Sequence, residues 1–224
     1  MTALTTGAAL SGENPGREKP FFLKHYTRRD RLDSILESGV LRLADPALWQ
    51  DKNDQAGIRA FARLSGDRAR QVRVLCLTAG NELIHHWNAY AAGPEGRRIE
   101  LDTEAFLERA GRLGLIHGWV DYRRHDLKPA SLPVDQLPFI KRAPYQSDRE
   151  YRVLWAGPEG AQPPEIPIKG LIRSITLSGE LPEAEAEAEK DRTAALAAAA
   201  GPGVKIHLSA LWKYRQWINK FDSL

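Results

Sequence analysis

The stretch VRVLCLT, residues 72–78, is the clearest buried strand in this sequence. Most of its residues are apolar, and a short run rich in valine and leucine is typical of a strand that is covered on both faces. The aromatic segment FFLKHY, residues 21–26, predicts a second strand. Similar short segments predict further strands at residues 40–43, 97–101, 116–122, 137–141, 150–155, 171–178 and 204–208. We therefore expect a domain that is rich in short strands.

Helical patterns separate these strands. Thr27 predicts the N-cap of a helix that ends at Gly39, where glycine suits a left-handed C-cap. Thr103 predicts the N-cap of a second helix, which continues through Leu113. Residues 83–92 predict a short helical stretch. Strands interspersed with short helices favour the α+β class.

Other regions are predicted from composition. The Ala/Glu-rich residues 182–200 predict an exposed helix, because alanine and glutamate are strong helix formers and few large apolar residues occur there. Residues 49–54 predict a polar loop, whereas residues 209–224 fit either a helix or a strand. Residues 1–19 carry few large apolar side chains and predict a flexible tail. We expect residues 20–224 to form a single domain.

The overall composition indicates an ordinary soluble protein. The 224 residues include 32 Lys+Arg and 29 Asp+Glu, so the formal net charge is +3, which is too small to indicate a phosphate-binding protein by itself. No apolar run approaches the ~18 residues that span a bilayer, and no signal-peptide pattern is present. The single cysteine, Cys76, excludes an internal disulfide framework. We therefore expect a cytoplasmic protein.

Charge clusters and metal-ligand patterns are weak. Arg97 and Arg98 follow a glycine-containing turn, and we expect such basic residues to be solvated. The chain has no phosphate-binding glycine loop, Rossmann fingerprint, nucleophile elbow or His-Glu-x-x-His motif. On a helix, the adjacent His85 and His86 point about 100° apart and do not bind one metal ion from the same face. We expect no metal site and leave the roles of these two histidines open.

Three short segments combine polar and aromatic residues in patterns that could form a functional site. They are the His-Tyr-Thr run at residues 25–27, the pair Trp87 and Tyr90, and the segment DREYRV at residues 148–153. Each has a common structural explanation: a packed histidine, an aromatic pair on one helical face, and a salt-bridged carboxylate. Their order along the chain is more informative than any one of them.

That order resembles the DUF2971 family of uncharacterised bacterial proteins. The shared features are His-Tyr-Thr before an Ile-Leu-Glu-Ser-Gly helix, a Cys-Leu-Thr strand that leads into Trp-x-x-Tyr, and Arg-Glu-Tyr-Arg-Val. They fall within residues 25–43, 75–101 and 146–154, and more loosely within 172–179. The chain departs from the family pattern at His85-His86 and at residues 94–97.

The DUF2971 family in turn resembles a distant branch of the ADP-ribosyltransferases, and its opening is similar to that of DarT-type enzymes. This resemblance implies a split, mostly antiparallel β core that binds NAD. It implies transfer of ADP-ribose to a nucleic-acid or protein acceptor, in a bacterial toxin, effector or phage-defence protein. The catalytic residues that it implies are His25, Tyr90 and Glu150. The NAD-binding residues that it implies are His25, Tyr26, Thr27, Trp87, Tyr90, Arg42 and Arg152.

The residue types suit this chemistry. Cleavage of the bond between nicotinamide and ribose passes through an oxocarbenium-like state, which Glu150 would stabilise. The same carboxylate is also suited to orienting or deprotonating a nucleophile. His25 would donate to a ribose hydroxyl, and Tyr90, with Trp87, would stack on nicotinamide. Strand alternation places Glu150 and Arg152 on one face. We expect Glu150→Gln to abolish NAD cleavage with an almost unchanged melting temperature.

Two other classes of function stay open. The first is a non-catalytic nucleotide- or nucleic-acid-binding module, because a fold does not certify an activity. The second is a structural or regulatory protein that uses Trp212 and Trp217 as an interface.

Overall fold

The computed structural model describes residues 20–222, so the predicted tail at residues 1–19 lies outside the described residues. The strands are β1 (Leu23–Arg28), β2 (Val40–Leu41), β3 (Gln71–Thr78), β4 (Gly96–Leu101), β5 (Ile116–Trp119), β6 (Asp121–Arg123), β7 (Ile140–Arg142), β8 (Glu150–Gly157), β9 (Ile166–Pro167), β10 (Ile172–Leu177) and β11 (Lys205–Leu208). The α-helices are α1 (Arg29–Ser38), α2 (Lys52–Leu64), α3 (Ile84–His86), α4 (Thr103–Arg112), α5 (Glu183–Ala197) and α6 (Arg215–Asp222).

The described residues divide into two compact units. The first unit contains residues 20–23, 41–80 and 103–166. The second unit contains residues 24–40, 81–102 and 167–222. The expectation of a single domain over residues 20–224 stays a prediction.

The first unit is organised around β3 and β8. These strands pair antiparallel along their full length, from Gln71 opposite Gly157 to Thr78 opposite Glu150. Strand β5 pairs antiparallel with the other side of β8. A core of apolar side chains covers this ladder; it consists of Ile58, Phe61, Ala69, Val72, Val74, Leu137, Phe139 and Leu154. The buried strand predicted at residues 72–78 is therefore confirmed.

Helix α2 replaces much of the loop predicted at residues 49–54. The Asp51 carboxylate accepts hydrogen bonds from the backbone N–H groups of Asn53 and Asp54, which caps a helix that begins at Lys52. Ile58 and Phe61 then lie in the core of the first unit. The polar residues of the predicted loop form the cap and first turn of α2, which is why the helix was missed.

In the second unit the strand order is β11, β10, β4, β1. Strand β10 pairs antiparallel with β4 and parallel with β11. Because antiparallel pairs predominate within the two units and helices are interspersed, the predicted α+β class with mostly antiparallel strands is confirmed. Helix α1 ends at Gly39, which has φ 70° as predicted. It begins after Arg28, and Thr27 is the penultimate residue of β1, so the predicted Thr27 cap is wrong.

Helix α5 forms where the Ala/Glu-rich segment predicted it. The expected exposure holds for only part of its surface, because one stripe of the helix is buried. Its members are Ala186, Glu189, Thr193 and Ala197. Spacings of three and four residues place these side chains on one face. Residues 209–224, for which the sequence left two conformations open, include helix α6, whose side chains are not buried.

Arg97 and Arg98 are not solvated, in contrast to the prediction. They are consecutive residues of β4, so their side chains leave opposite faces of the strand. Arg97 is 0% exposed, and its Nη2 lies 2.7 Å from Oε1 of Glu189. Arg98 pairs with Glu82 at 3.1 Å. Acidic partners therefore hold Arg97 fully buried and Arg98 partly buried, with 12% of the Arg98 side chain exposed.

None of the helices in the described part of the chain is long and apolar enough to cross a membrane.

Candidate functional site

The first unit contains a buried charged cluster around the start of β8. We use this name for Asp54, Lys141, Asp148, Glu150 and Arg152, each of which is 8% exposed or less. Arg152 Nε donates to Glu150 Oε1 at 2.5 Å, and Lys141 Nζ donates to Glu150 Oε2 at 2.8 Å. These contacts confirm that Glu150 and Arg152 share one face of the strand. Both carboxylate oxygens of Glu150 therefore have a cationic donor.

The cluster keeps Glu150 ionised. Burial by itself would raise the pKa of this carboxyl, but the charges of Arg152 and Lys141 and their hydrogen bonds outweigh it and lower the pKa to about 2. A carboxylate with such a low pKa is a weak base at neutral pH. Of the two roles that its residue type suits, electrostatic stabilisation therefore fits Glu150 better than proton abstraction.

Arg152 holds the cluster together. Its Nη2 lies 2.6 and 2.7 Å from the two carboxylate oxygens of Asp54, and its Nη1 donates to the carbonyl oxygen of Pro138 at 2.7 Å. The guanidinium carbon also lies 5.6 Å from the ring centroid of Trp49. Arg152 is 0% exposed. Because all of its nitrogens have acceptors in the protein, the geometry favours a role in positioning Glu150 over contact with NAD.

Lys141 is the second cation of the cluster. Its Nζ lies 3.0 Å from Asp148 Oδ2 and 3.8 Å from Asp54 Oδ2, in addition to its bond with Glu150. The ring centroid of Tyr145 is 4.7 Å from the same atom. Burial raises the pKa of Asp54, although Arg152 and Lys141 oppose this shift. Sequence reasoning missed Lys141 and Asp54, because nothing in the local pattern links either residue to β8.

The backbone before Glu150 has an unusual conformation. Arg149 has φ 44° and ψ 52°, and Arg149 and Ala92 are the non-glycine residues of the described chain with positive φ. The Thr78 hydroxyl donates to the Asp148 carbonyl oxygen, and Ala79 N–H donates to the Arg149 carbonyl oxygen at 3.0 Å. The Tyr122 hydroxyl accepts from the Glu150 N–H at 2.8 Å. These bonds fix the backbone on both sides of Arg149.

The opposite face of β8 carries a neutral pair that the sequence did not single out. The Tyr151 hydroxyl lies 2.7 Å from His117 Nδ1, and the Trp119 ring packs edge-on against Tyr151 at 5.4 Å. Burial lowers the pKa of His117 and raises the pKa of Tyr151 to about 12. Both groups are therefore neutral at pH 7, and the pair forms one ordinary hydrogen bond.

The second unit holds the predicted aromatic residues. Trp87 is 0% exposed, its ring lies edge-on to Tyr26 at 5.3 Å, and its Nε1 donates to Glu82 Oε1 at 2.8 Å. The ring of Trp212 packs against it at 6.0 Å. Tyr26 is 8% exposed, and burial raises its pKa to about 12. A wholly buried ring favours a packing role for Trp87, and its predicted stacking on nicotinamide stays a prediction.

Tyr90 differs from Trp87 in its exposure. It is 43% exposed, although the sequence predicted that both rings lie on one helical face. The reason is that residues Trp87–Ala91 form a π-helical turn, which is wider than an α-helical turn and separates residues three apart. Ala92, with φ 60°, ends this turn. Wide turns and left-handed non-glycine residues are enriched at functional sites, which favours Tyr90 as a ligand-facing residue.

The remaining predicted residues have simpler surroundings. His25 is half-buried and Thr27 is buried in β1. Arg42 is half-exposed and pairs with Glu165 at 2.7 Å. Burial raises the pKa of Cys76 well above its ordinary value, and the charge of Glu150 adds to this shift, so its thiol is not activated.

The predicted site residues fall into two groups. The structure brings Glu150 and Arg152 together in the first unit, and Tyr26 and Trp87 together in the second. His25, Thr27 and Tyr90 belong to the second unit, and Arg42 belongs to the first. The joint action of Glu150, His25 and Tyr90 therefore stays a prediction.

The solved structures that are similar to this chain include three of DarT from Thermus sp. 2.9. The complex with ADP-ribosylated ssDNA has 15% identity and a TM-score of 0.46, and the match covers 87% of this chain and 97% of that chain. The NAD+ complex has 14% identity and a TM-score of 0.46, with 87% and 98% covered. The carba-NAD+ complex has 13% identity and a TM-score of 0.42, with 88% and 99% covered.

No protein-family model matches the chain, and no curated protein matches it. The resemblance to the DUF2971 family therefore stays a prediction. At the identities and TM-scores given above, structural likeness does not carry the activity of the DarT proteins over to this chain.

Proposed function

We propose that this protein is an NAD-dependent ADP-ribosyltransferase in which Glu150 supplies a fixed negative charge. The observation that carries the proposal is the ionised carboxylate of Glu150, held by Arg152 and Lys141 at the start of β8. The resemblance of the sequence implied a catalytic role for the same residue. A preorganised charge of this kind stabilises a developing cation without a reorganisation cost at the moment of reaction.

The proposed reaction breaks the bond between nicotinamide nitrogen and ribose C1′. Nicotinamide leaves with the bonding electron pair and becomes neutral, while positive charge develops on the ribose ring. The acceptor attacks C1′, forms the new bond and releases a proton to solvent or to a base that the proposal does not assign. Glu150 remains anionic throughout, because its pKa of about 2 lies far below neutral pH.

The other residues have separate proposed roles. Tyr90 offers a partly exposed ring for nicotinamide, and His25 donates to a ribose hydroxyl. Arg152 and Lys141 hold Glu150 in place. Trp87 and Tyr26 pack beneath the turn that carries Tyr90. Arg42 forms an exposed ion pair with Glu165, and a bound anion would replace Glu165 as its partner. Nucleic acid and protein are the two proposed classes of acceptor.

The test is an NAD titration that is followed by thermal shift and by nicotinamide release. We expect saturable stabilisation of the wild-type protein and slow release of nicotinamide. Glu150→Gln should bind NAD and release no nicotinamide. The matched control is Glu108→Gln, which removes a carboxylate from an exposed ion pair with Arg112 in the same unit and should leave release unchanged. Equal release by Glu150→Gln and wild type would exclude the proposed role of Glu150.

One observation favours a non-catalytic nucleotide- or nucleic-acid-binding module instead. Glu150 is 4% exposed and both of its oxygens already have cationic partners, as in a purely structural ion-pair network. This alternative predicts stabilisation by NAD or an oligonucleotide with no nicotinamide release under any condition. A screen of nucleic-acid and protein acceptors with labelled NAD separates it from an enzyme that lacks only its acceptor.

A further inference from the structure

Arg149 is an exposed cation in a conformation that arginine rarely adopts. It lies directly before Glu150, with φ 44° and ψ 52°. Left-handed backbone is unfavourable for a residue with a Cβ atom, and glycine adopts it at no such cost. An arginine in this conformation is retained at the expense of stability, which is typical of a residue whose side chain has a function.

The surrounding bonds force this conformation. Arg149 N–H donates to the Gln146 carbonyl oxygen at 3.3 Å, and Ala79 N–H donates to the Arg149 carbonyl oxygen at 3.0 Å. The Thr78 hydroxyl donates to the carbonyl oxygen of Asp148 and accepts from the Gly80 N–H at 3.1 Å. The backbone of Arg149 is therefore tied to the segment that follows β3.

Gly80 leaves space for the Arg149 side chain. A Cβ atom at Gly80 would lie 3.4 Å from the Cβ and 3.5 Å from the Cδ of Arg149. The aliphatic part of the arginine therefore runs past Gly80 at van der Waals distance. This contact directs the side chain and reduces the number of conformations open to it.

The charge of Arg149 is not neutralised by its neighbours. Across the described residues 20–222, no ion pair or side-chain hydrogen bond joins it to an acidic group. The carboxylates on either side of it, Asp148 and Glu150, are both bound by Lys141. Their charges are already compensated inside the charged cluster. Arg149 thus places a cationic guanidinium group at the start of β8. Contact with Gly80 orients its side chain, and no acidic group of the described residues accepts from its N–H donors.

We propose that Arg149 binds the pyrophosphate of a nucleotide ligand. A guanidinium group presents paired donors that match two oxygens of a phosphate, and an oxyanion completes the hydrogen bonding that the protein leaves open. The identification of the ligand as NAD or ADP-ribose rests on the proposed function. The anion-binding role itself rests on the position, conformation and exposure of Arg149.

The test is calorimetric titration with inorganic pyrophosphate, ADP-ribose and adenosine, which needs no catalytic turnover. Arg149→Gln should weaken pyrophosphate and ADP-ribose binding about tenfold or more, and Arg149→Lys should lose less because it keeps the charge. Adenosine binding should not change in either variant. Arg149→Gly should lose the same affinity yet melt about 2–4 °C higher, because glycine relieves the backbone strain.

Arg63→Gln is the matched control, because Arg63 is another exposed arginine of the first unit, near the end of α2. It should bind all three ligands as the wild type does.

The proposal is overturned if the wild type binds neither pyrophosphate nor ADP-ribose, or if Arg149→Gln binds both normally. It is also overturned if Arg149→Gln loses adenosine binding to the same extent. Arg149-dependent ADP-ribose binding, with neither nicotinamide release nor transfer to any acceptor in the screen with labelled NAD, would refute the proposed enzyme alone. NAD cleavage with normal ADP-ribose binding by Arg149→Gln would refute the Arg149 assignment alone.

Discussion

Arg152 Nε lies 2.5 Å from Glu150 Oε1, and these two residues are separated by one position on the same strand. Arg152 has no exposed surface, and Glu150 is 4% exposed. Removing one partner of a charge pair at this depth strongly destabilises the folded protein, because the other charge stays buried without compensation. The strand thus carries its candidate catalytic carboxylate as part of the folded core.

This relationship changes the expected effect of Glu150→Gln on stability. The sequence alone predicted an almost unchanged melting temperature. Since Arg152 and Lys141 would lose a charged partner, we expect the free energy of unfolding to fall by about 3 kcal/mol, with the fold retained. Urea denaturation followed by circular dichroism measures this change. The exposed pair of Arg42 and Glu165 provides the comparison, and Glu165→Gln should cost less than about 1 kcal/mol. Equal effects of the two variants would contradict the structural role of the cluster.

Stability should also fall in acid. The pKa of Glu150 is lowered from 4.5 to about 2, so its ionised form stabilises the folded state above the unfolded pKa. This contribution, about 3 kcal/mol, should be lost as the pH falls from about 4.5 to about 2. Asp54 has a raised pKa and contributes with the opposite sign, which reduces the net loss. Denaturation midpoints measured across this pH range provide the test.

In the same acid titration, Glu150→Gln should have a flatter profile than wild type. Glu189 also has a pKa lowered to about 2, chiefly by its hydrogen bonds with Arg192 and Arg97, so some pH dependence should remain. A variant profile that parallels the wild-type profile would show that Glu150 does not titrate with folding.

Trp87 and Trp217 should differ sharply in their contribution to stability. Trp87 has no exposed surface, whereas Trp217 is 59% exposed on α6. We expect Trp87→Ala to cost about 3–5 kcal/mol, because it removes a large core side chain. Trp217→Ala should stay within about 0.5 kcal/mol. Thermal unfolding of both variants measures the difference, and a large loss for Trp217→Ala would show that α6 is covered in solution.

Arg97 and Glu189 should be coupled in a double-mutant cycle. Their side chains are 0% and 7% exposed, and the salt bridge between them is 2.7 Å long. Arg97→Met alone should cost about 3–5 kcal/mol, because it leaves a buried carboxylate with fewer partners. Adding Glu189→Leu should recover at least about 2 kcal/mol of that loss. Additive effects of the two substitutions, measured by denaturant unfolding, would mean that the pair does not act as a unit.

The sequence was most informative where one local pattern decides the structure. The apolar run at residues 72–78 forms β3, and Gly39 ends α1 in the left-handed conformation, because an apolar run and a glycine after a helix are signals carried by neighbouring residues. Strand alternation also placed Glu150 and Arg152 on one face. The α+β class followed from the succession of such segments.

Tertiary structure decided which charges and rings are accessible. Arg97 and Arg152 meet partners from distant segments, Glu189 and Asp54, and a sequence pattern does not show which acid meets which base. Trp87 and Tyr90 were separated by a π-helical turn that local periodicity did not predict. Most strands, several helix ends and a carboxylate before an apolar strand could be predicted from local sequence. The strand predicted at residues 137–141 is only partly formed, because residues 137–139 belong to a 3₁₀ helix, and β9 was not predicted. Only the folded chain determined that the Glu150 carboxylate is buried and ionised, because its pKa depends on cations brought to it by tertiary contacts.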